Sequence, residues 1–234
     1  MHSAKISVEE AQATEHMLSL CNALVQAACP VALLVGDLAA AEGWIAMLLE
    51  QSARHGLDLW HLRGRGFRGM LLNKAGDTAL GLQLLDGALK ELRETKYAGH
   101  YVAFLGALAE ALDQAGQVER GLAAIEEALA RSERTQARWC TAELLRIKGD
   151  LVLQQSGANC AAVAEDLFLK ALDGARRQGA LSWELRAATS LARQWQRHDR
   201  DMAARELLSP VYARFTEGFD TADLAAAKTL LDAL

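Results

Sequence analysis

Proline is the residue that this sequence most nearly lacks, with two among 234 residues. Proline interrupts helices, so a chain with so little of it can form long helices almost without a break. Alanine, leucine, glutamate, arginine and glutamine are abundant instead, and all five have high helix propensity. The composition therefore predicts an all-α protein.

Basic charge is not in excess either. The formal net charge is −5 and the isoelectric point is about 5.7. A protein that grips the phosphate backbone of a nucleic acid needs a basic face. We therefore expect no nucleic acid among the partners of this chain.

Cysteines are few and are not arranged in pairs. Cys21, Cys29, Cys140 and Cys160 form no CxxC motif and have no close histidine partners. This spacing indicates neither a zinc site nor a disulfide framework, so we expect buried, reduced thiols in the cytosol. The first residues contain no apolar signal-peptide core, and we predict a cytoplasmic protein with no membrane-spanning segment.

Catalytic patterns are equally scarce. No serine, cysteine or threonine stands at a recognisable spacing from a histidine and an orienting acid, and no pair of carboxylates departs from ordinary helix-surface charges. We expect no catalytic residues, no metal ligands and no cofactor, and so a protein that is not an enzyme.

What the sequence does contain is a pattern that recurs every 40 residues, with one longer step of 43. Larger apolar residues, among them Phe168, lie between columns of small ones. The longer step places a three-residue insertion near residues 155–159. Self-similarity over five copies predicts a solenoid, because one helix pair cannot bury its apolar face alone. The three columns are Ala41, Gly81, Gly121, Ala164 and Ala204; Leu48, Ala88, Ala128, Ala171 and Val211; and Cys29, Gly69, Ala109, Gly149 and Ala192.

The columns divide the chain, which we treat as one domain over residues 1–234, into five helix pairs and a final capping helix. Hairpin turns are predicted at Gly36, Gly76 and Gly116. Ser7 and Glu10 form a capping-box pattern that starts the first helix, which has no preceding helix to cover it. This uncapped end predicts self-association or contact with a further domain. The predicted pairs are 7–56, 57–96, 97–135, 138–179 and 181–217, and the capping helix is 221–234.

Gly64, Gly66 and Gly69 match the G-x-G-x-x-G fingerprint of dinucleotide-binding folds. To bind the phosphates of a dinucleotide, this fingerprint needs a strand before the glycines and a helix that begins after them. Here the preceding residues have helical periodicity, and Gly69 already belongs to a small-residue column. The pattern favours packing glycines over a phosphate site.

Aromatic and charged residues recur in the first turns of the leading helices. In a helix-pair solenoid these helices line the concave surface, so the pattern predicts a groove for a protein, a peptide or a small-molecule effector. The alternative is that the tryptophans fill gaps between repeats and that the arginines and Glu143 form ion pairs of little net value. The candidates are Trp60, His61, Arg63, Arg65, His100, Tyr101, Trp139, Glu143, Arg146, Trp183 and Arg186.

The small residues and turns resemble the tetratricopeptide family, as at Gly69, Gly76–Asp77, Gly81 and Ala88. The step of 40 is longer than the family's usual 34, and the proline that commonly closes a repeat is missing. Several stretches look more specifically like the C-terminal repeat region of bacterial multidomain ATPases that carry a winged-helix or adenylate/guanylate cyclase domain. They are LSLCNALVQAACPVALLVGDLAAAE, AELLRIKGDLVLQQ, GALSWELRAATSLARQW and PVYARFTEGFDTADLAAAKTLLDAL.

The resemblance implies a right-handed α–α superhelix, a tetratricopeptide-like solenoid, that serves as the regulatory sensor of a signal-transduction ATPase or transcriptional regulator. The upstream ATPase domain would be one partner. This sequence has no Walker A stretch, no winged helix and no cyclase core, so ATP hydrolysis, DNA binding and cyclase activity do not transfer to it. The alternative function is a free-standing adaptor or scaffold for protein–protein interaction.

Overall fold

The computed structural model describes residues 1–93, 95 and 99–234, and it divides into two compact units, Met1–Ala115 and Gly116–Leu234. Regular structure in the described residues is helical, and no strand occurs among them. The all-α prediction is therefore confirmed. The single domain over residues 1–234 stays a prediction, and each unit is described by itself below.

In the first unit, successive helices pack on their neighbours, and α5 also contacts α7 and α3. Each leading helix is thus in contact with the next leading helix, as in stacked helical hairpins. The helices are α1 His2–Ala13, α2 Met17–Ala23, a π-helical turn Leu24–Ala28, α3 Cys29–Val35, α4 Leu38–Arg54, α5 Asp58–Lys74, α6 Thr78–Arg93 and α7 Tyr101–Gln114.

The second unit repeats this arrangement. Neighbouring helices pack together, and α11 contacts both α9 and α13. The helices are α8 Val118–Thr135, a 3-10 turn Arg138–Cys140, α9 Thr141–Gln154, α10 Cys160–Gln178, α11 Leu181–Gln196, α12 Asp201–Tyr212 and α13 Ala222–Ala233.

The small-residue columns are the core of both units. Every one of their fifteen members, from Cys29 to Val211, is buried. The larger apolar residues between them, including Ile45, Leu85 and Phe168, are buried as well. The 40-residue pattern therefore identified the inward face of each helix, because small side chains allow close approach and large ones fill the remaining space.

Glycines form the turns that the pattern predicted. Gly36, Gly76 and Gly116 each lie between the end of one helix and the start of the next, with φ of 79°, 93° and 70°. Positive φ is open to glycine at no steric cost. The longer connection near residues 155–159 is also confirmed, because five residues join α9 to α10, whereas three residues, 75–77, join α5 to α6. The third inserted residue lies in α10, which begins four residues before Ala164, whereas α6 begins three residues before Gly81. The predicted boundary between residues 96 and 97 lies outside the described residues.

The N-terminal prediction was wrong in two respects. The first helix begins at His2, so Ser7 lies inside it and caps nothing; the next helix begins at Met17, where the His16 ring accepts a hydrogen bond from the Ser19 amide. Helix α1 packs on α2 and buries Val8 and two alanines, while its outer face is mostly polar but exposes Ile6. The leading helix of the first pair is therefore covered.

The prediction of no membrane-spanning segment overlooked Met17–Val35. This stretch of 19 residues is apolar enough and long enough to cross a bilayer, with a mean hydropathy of 1.9 over its best window. In the structure 44% of that window is buried, and the stretch packs on α1, α4 and α5. Length and composition alone are weak evidence for a membrane span, because the core helix of a soluble protein passes the same test.

Both prolines lie where the helical hydrogen-bond ladder changes. Pro30 comes two residues after the end of the π-helical turn Leu24–Ala28, and its missing N–H leaves the carbonyl of Gln26 in that turn without its usual donor. Pro210 lies inside α12, and that helix ends at Tyr212 rather than at the predicted Glu217.

The C-terminal capping helix is present as α13, which packs on α11 and α12. It begins at Ala222, one residue after the predicted start, and its N-cap is Thr221. The Thr221 hydroxyl donates to the Gly218 carbonyl, which closes the preceding turn.

The three glycines of the dinucleotide-like string lie inside α5 and are buried. A Cβ on Gly64 would meet Leu49 of α4, one on Gly66 would meet the Phe104 ring of α7, and one on Gly69 would meet α6. Each glycine therefore allows a different neighbouring helix to pack closely against α5. The packing interpretation is confirmed, since no strand precedes these glycines and no helix opens after them.

Replacing Gly81 with alanine tests this close approach. A Cβ there would lie 2.9 Å from the Gly69 carbonyl oxygen and 3.0 Å from the Asn73 amide nitrogen, and both are backbone atoms. Alanine improves helix propensity by about 1 kcal/mol, but forcing the helices apart costs about 1–3 kcal/mol, so we expect a net loss of stability in urea unfolding.

Gly43→Ala is the matched control. Gly43 is exposed in the middle of α4, and a Cβ there would meet nothing within 4 Å. This variant should gain about 1 kcal/mol from helix propensity alone. Equal stabilisation of both variants would show that the two helices do not need glycine at their crossing.

Candidate functional site

The residues predicted to line a groove are distributed over both units. Trp60, Arg63 and His100 belong to the first unit with three others, and Glu143 and Arg186 belong to the second with three more. Their role in binding stays a prediction.

Three candidates of the first unit are held by partners in that unit. The Trp60 indole N–H donates to the Asn22 side-chain oxygen at 2.9 Å. The Arg65 guanidinium pairs with Glu91 at 2.7 Å, near the surface. His61 Nδ1 lies 3.3 Å from the Ser52 hydroxyl and from the Leu49 carbonyl oxygen.

Tyr101 is a core residue. Its side chain is fully buried at the start of α7, and its hydroxyl accepts a hydrogen bond from Arg93 Nε at 3.1 Å. A tyrosine with no exposed surface does not line a surface in this structure.

Arg63 and His100 form a buried cluster with two aromatic rings, Phe67 and Phe104. The His100 and Phe67 ring centroids are 5.4 Å apart, with the rings nearly perpendicular, and Phe67 meets Phe104 at 5.1 Å in the same way. Arg63 and His100 are each only 8% exposed. This group of four residues is called the Arg63 cluster below.

Polar atoms of the Arg63 cluster lack partners. Arg63 Nε and His100 Nδ1 are buried and make no hydrogen bond. Burial, with the nearby Arg63 charge as the second cause, lowers the pKa of His100 to about 4, so the imidazole is neutral at pH 7. Burial also lowers the pKa of Arg63. Buried polar groups without partners are rare in native proteins, so this cluster calls for an explanation.

In the second unit, Glu143 is the centre of an ion-pair network. Arg146 donates two hydrogen bonds to the Glu143 carboxylate, from Nε at 3.0 Å and from Nη2 at 2.9 Å. Arg186 Nη1 donates a third at 3.0 Å. The three side chains are 11–14% exposed. A bidentate arginine on a carboxylate is the strongest form of this contact.

Two aspartates complete the Glu143 network. Arg146 also pairs with Asp150, and Arg186 Nε donates to Asp223 of α13 at 2.6 Å. The network thus ties α9 to α11 and α11 to α13. With three carboxylates and two guanidinium groups, its charges nearly balance.

The environment of Glu143 favours its ionised form. Burial alone would raise its pKa, but the charges and hydrogen bonds of Arg146 and Arg186 outweigh burial and lower the pKa to about 2. The carboxylates of Glu143 and Asp223 in turn raise the pKa of Arg186 against the effect of its own burial.

This shift predicts a pH dependence. Because the pKa of folded Glu143 lies below its ordinary value of 4.5, its stabilising effect is full above that value and is lost as pH falls towards 2. Glu143→Gln mimics the protonated side chain. We therefore expect wild type and Glu143→Gln to differ by about 3 kcal/mol in free energy of unfolding at pH 7 and to converge near pH 2. Urea titrations across this pH range measure it, and a constant difference would contradict it.

Trp139 and Trp183 lie side by side. Their ring centroids are 5.9 Å apart, at an angle of 32°. Trp139 is 45% exposed, and Trp183 is half-buried. Of the predicted groove residues in the second unit, this tryptophan pair presents the most aromatic surface to solvent.

The two interpretations of the charged candidates can now be compared. Glu143, Arg146 and Arg186 pair with one another, as the ion-pair interpretation expects. Their value is not that of surface pairs, however, because the side chains are largely buried and removing one partner leaves a buried charge uncompensated. Asp150 follows Arg146 by four residues and could have been anticipated from helix periodicity, whereas Asp223 lies 37 residues from Arg186 and carries no local signal.

A buried carboxylate outside the candidate set lies beside a cavity. Glu184 is 3% exposed and accepts hydrogen bonds from Arg176 Nε at 2.8 Å and Arg214 Nη1 at 2.5 Å. The three residues line a cavity of about 280 Å³ together with Glu206, Leu207 and Pro210. Two guanidinium groups balance the two carboxylates here, so no charge calls for a ligand.

Thiols and metal-ligand types are dispersed through the fold. Cys21, Cys29 and Cys140 are buried free thiols, and Cys160 is partly exposed. Burial raises the pKa of the Cys29 and Cys140 thiols to about 12, so they are protonated and unreactive at neutral pH. Across residues 1–93, 95 and 99–234, no three His, Cys, Asp or Glu side chains converge as a metal site requires.

Comparison with known proteins gives a fold and no family. No family model matches the chain, and no curated protein matches it. Among solved structures, the crystal structure of BtubC (BKLC) from P. vanneervenii is similar, with a TM-score of 0.62 and 16% sequence identity over 91% of this chain and 88% of that chain. At this identity the likeness extends to the helical fold alone.

Proposed function

We propose that this chain is a non-catalytic recognition module, a right-handed α–α superhelix of tetratricopeptide-like repeats that binds a protein, a peptide or a small-molecule effector in the cytoplasm. The observation that carries the proposal is the burial of all fifteen column positions, at a step of 40 residues. Repeats that bury one face on their neighbours leave the opposite face of each leading helix for recognition.

The resemblance to bacterial multidomain ATPases adds a role. In this proposal the module is the regulatory sensor of a signal-transduction ATPase or transcriptional regulator, and effector binding changes how the repeats contact the nucleotide-binding domain. The adaptor function is the competing case. Sequencing the genomic DNA upstream of the Met1 codon separates them: an in-frame Walker A domain supports the sensor, and a stop codon directly before an independent start supports the adaptor.

Effector binding itself is tested by thermal unfolding of the full chain with a panel of metabolites and short peptides. A ligand that binds only the folded state raises the free energy of unfolding by mass action, by about 2.7 kcal/mol at a concentration of 100 times its Kd. The melting temperature rises as a result. Trp139→Ala should lower the affinity for that ligand at least tenfold, because exposed tryptophans are common binding hot spots.

Met202→Ala is the control for Trp139→Ala, since Met202 is 78% exposed and was not predicted to bind. If no member of the panel raises the melting temperature, or if both variants respond as wild type does, the proposed recognition function fails at this surface.

A further inference from the structure

The Arg63 cluster contains a buried charge without a counter-ion. Arg63 lies in the first half of α5 and is 8% exposed, and among the described residues no carboxylate pairs with it. By contrast Arg65, two residues further along the same helix, pairs with Glu91 at 2.7 Å. Removing a guanidinium from water costs several kcal/mol unless an anion compensates it.

The N-terminal end of helix α7 lies beside this charge. Helix α7 begins at Tyr101, and its N-cap residue His100 makes no side-chain cap. The first N–H groups of a helix have no partner within the helix, and the helix dipole makes this end attractive to anions. Arg63 Nη2 lies 3.8 Å from the point that a Cβ on Gly99 would occupy, so the guanidinium reaches the start of α7 where glycine leaves room.

Two buried polar atoms point to a ligand independently of the helix end. Arg63 Nε and His100 Nδ1 are both without a hydrogen-bond partner, in side chains that are more than nine-tenths buried. A bound anion could accept from Arg63 Nε, and His100 could donate to it through the tautomer that carries its proton on Nδ1.

The charge and surroundings of the cluster indicate the class of anion. His100 is neutral at pH 7. Among the described residues Arg63 provides the positive charge of the cluster, and a monoanion balances it where a phosphate dianion would leave negative charge in excess. The guanidinium fork matches a planar carboxylate. Phe67 and Phe104 are buried and pack against the His100 ring.

We propose that Arg63, His100 and the N-terminal turn of α7 form a binding site for a carboxylate, carried by a small organic acid or by the C-terminus of a peptide. Arg63 supplies the charge and His100 a hydrogen bond, and both bind the carboxylate group of the ligand. The site rests on the proposed recognition function and specifies the chemistry that one part of the module recognises.

The experiment measures the melting temperature of the full chain in a carboxylate-free buffer at pH 7. Sodium acetate is compared with sodium chloride at equal ionic strength. Acetyl-Gly-Phe with a free carboxylate is compared with its C-terminal amide. We expect acetate and the free acid to raise the melting temperature saturably, and chloride and the amide to leave it unchanged. A response to the peptide acid at concentrations at least tenfold below those of acetate assigns the site to chain ends, and the reverse assigns it to small acids.

Arg63→Gln and Arg65→Gln are the matched variants. Without ligand, Arg63→Gln should be as stable as wild type or more stable, because it removes an uncompensated buried charge. It should also lose at least tenfold in apparent affinity for acetate, while Arg65→Gln binds as wild type does. Failure of Arg63→Gln to fold, an unchanged response to acetate, or equal effects of acetate and chloride on wild type would each overturn the site. The recognition function would still stand if an uncharged effector from the panel stabilised the chain.

Discussion

Replacing Glu143 with glutamine is expected to lower the free energy of unfolding by about 3 kcal/mol at pH 7. The carboxylate receives three hydrogen bonds from Arg146 and Arg186, whose side chains are 11% and 14% exposed. Glutamine keeps the shape but not the charge, so Arg146 and Arg186 both lose the buried carboxylate that they share. Urea unfolding followed by tryptophan fluorescence measures the loss, since Trp139 and Trp183 lie in the same unit.

Glu126→Gln is the control for this variant. Glu126 pairs with Lys148 between α8 and α9 in the same unit, but its side chain is 59% exposed. Exposed ion pairs contribute about 0–1 kcal/mol, because water screens them and two long side chains must be ordered. If the two variants lose equal stability, the Glu143 network is worth no more than a surface pair, and the weaker interpretation of these residues is correct.

The contrast between these two glutamates shows how far the sequence could lead. Periodicity placed Glu143, Arg146 and Arg186 on one face of the leading helices, because side chains in a repeat keep their phase from copy to copy. Whether they face water or one another depends on Asp223, which belongs to the terminal helix and to no repeat. Its pairing with Arg186 is a tertiary contact that no local pattern encodes.

The fold was more predictable than the site for a physical reason. A small residue at a helix crossing is required in every copy, so Gly69 and Gly81 carry a signal that repetition amplifies. The N-terminus lacks that support. Helix α1 has no counterpart in the 40-residue pattern, and the uncharged stretch Met17–Val35 is interrupted by a π-helical turn, so neither was anticipated.

His100 and Tyr101 illustrate the same limit for single residues. They occupy positions where the pattern predicted a groove, yet both are buried, because α7 packs closely on α5 through Phe104 and Gly66. Glycine at that contact was visible in the sequence as part of the G-x-G-x-x-G string. Its consequence for His100 depends on which helix fills the space, and only the three-dimensional packing shows that.

Truncation of Phe168 to alanine should have an effect as large as any single change in the second unit. Phe168 is fully buried in α10 and packs in the core with Val152, Leu167 and Leu191. Removal of a buried phenylalanine leaves a cavity and typically costs about 3–5 kcal/mol. Urea unfolding of Phe168→Ala measures this loss. Phe219→Ala is the control, since Phe219 is 50% exposed. Substitutions at the surface usually change the free energy of unfolding by about 0.5 kcal/mol or less, so this variant should lose far less stability than Phe168→Ala.

A double variant tests whether small and large columns fit each other. The Phe168 ring lies over Gly149 of α9, and a Cβ on Gly149 would come within 2.8 Å of ring atom Cδ1. Gly149→Ala alone should therefore destabilise by about 1–3 kcal/mol despite its better helix propensity. In Phe168→Ala the obstructing ring is gone, so adding Gly149→Ala should be neutral or stabilising. The double-mutant cycle formed by these variants should show a coupling free energy of at least about 1 kcal/mol, as for residues in direct contact. Additive losses would mean that the two columns are buried independently and that their matched phase along the chain does not reflect interlocking helices.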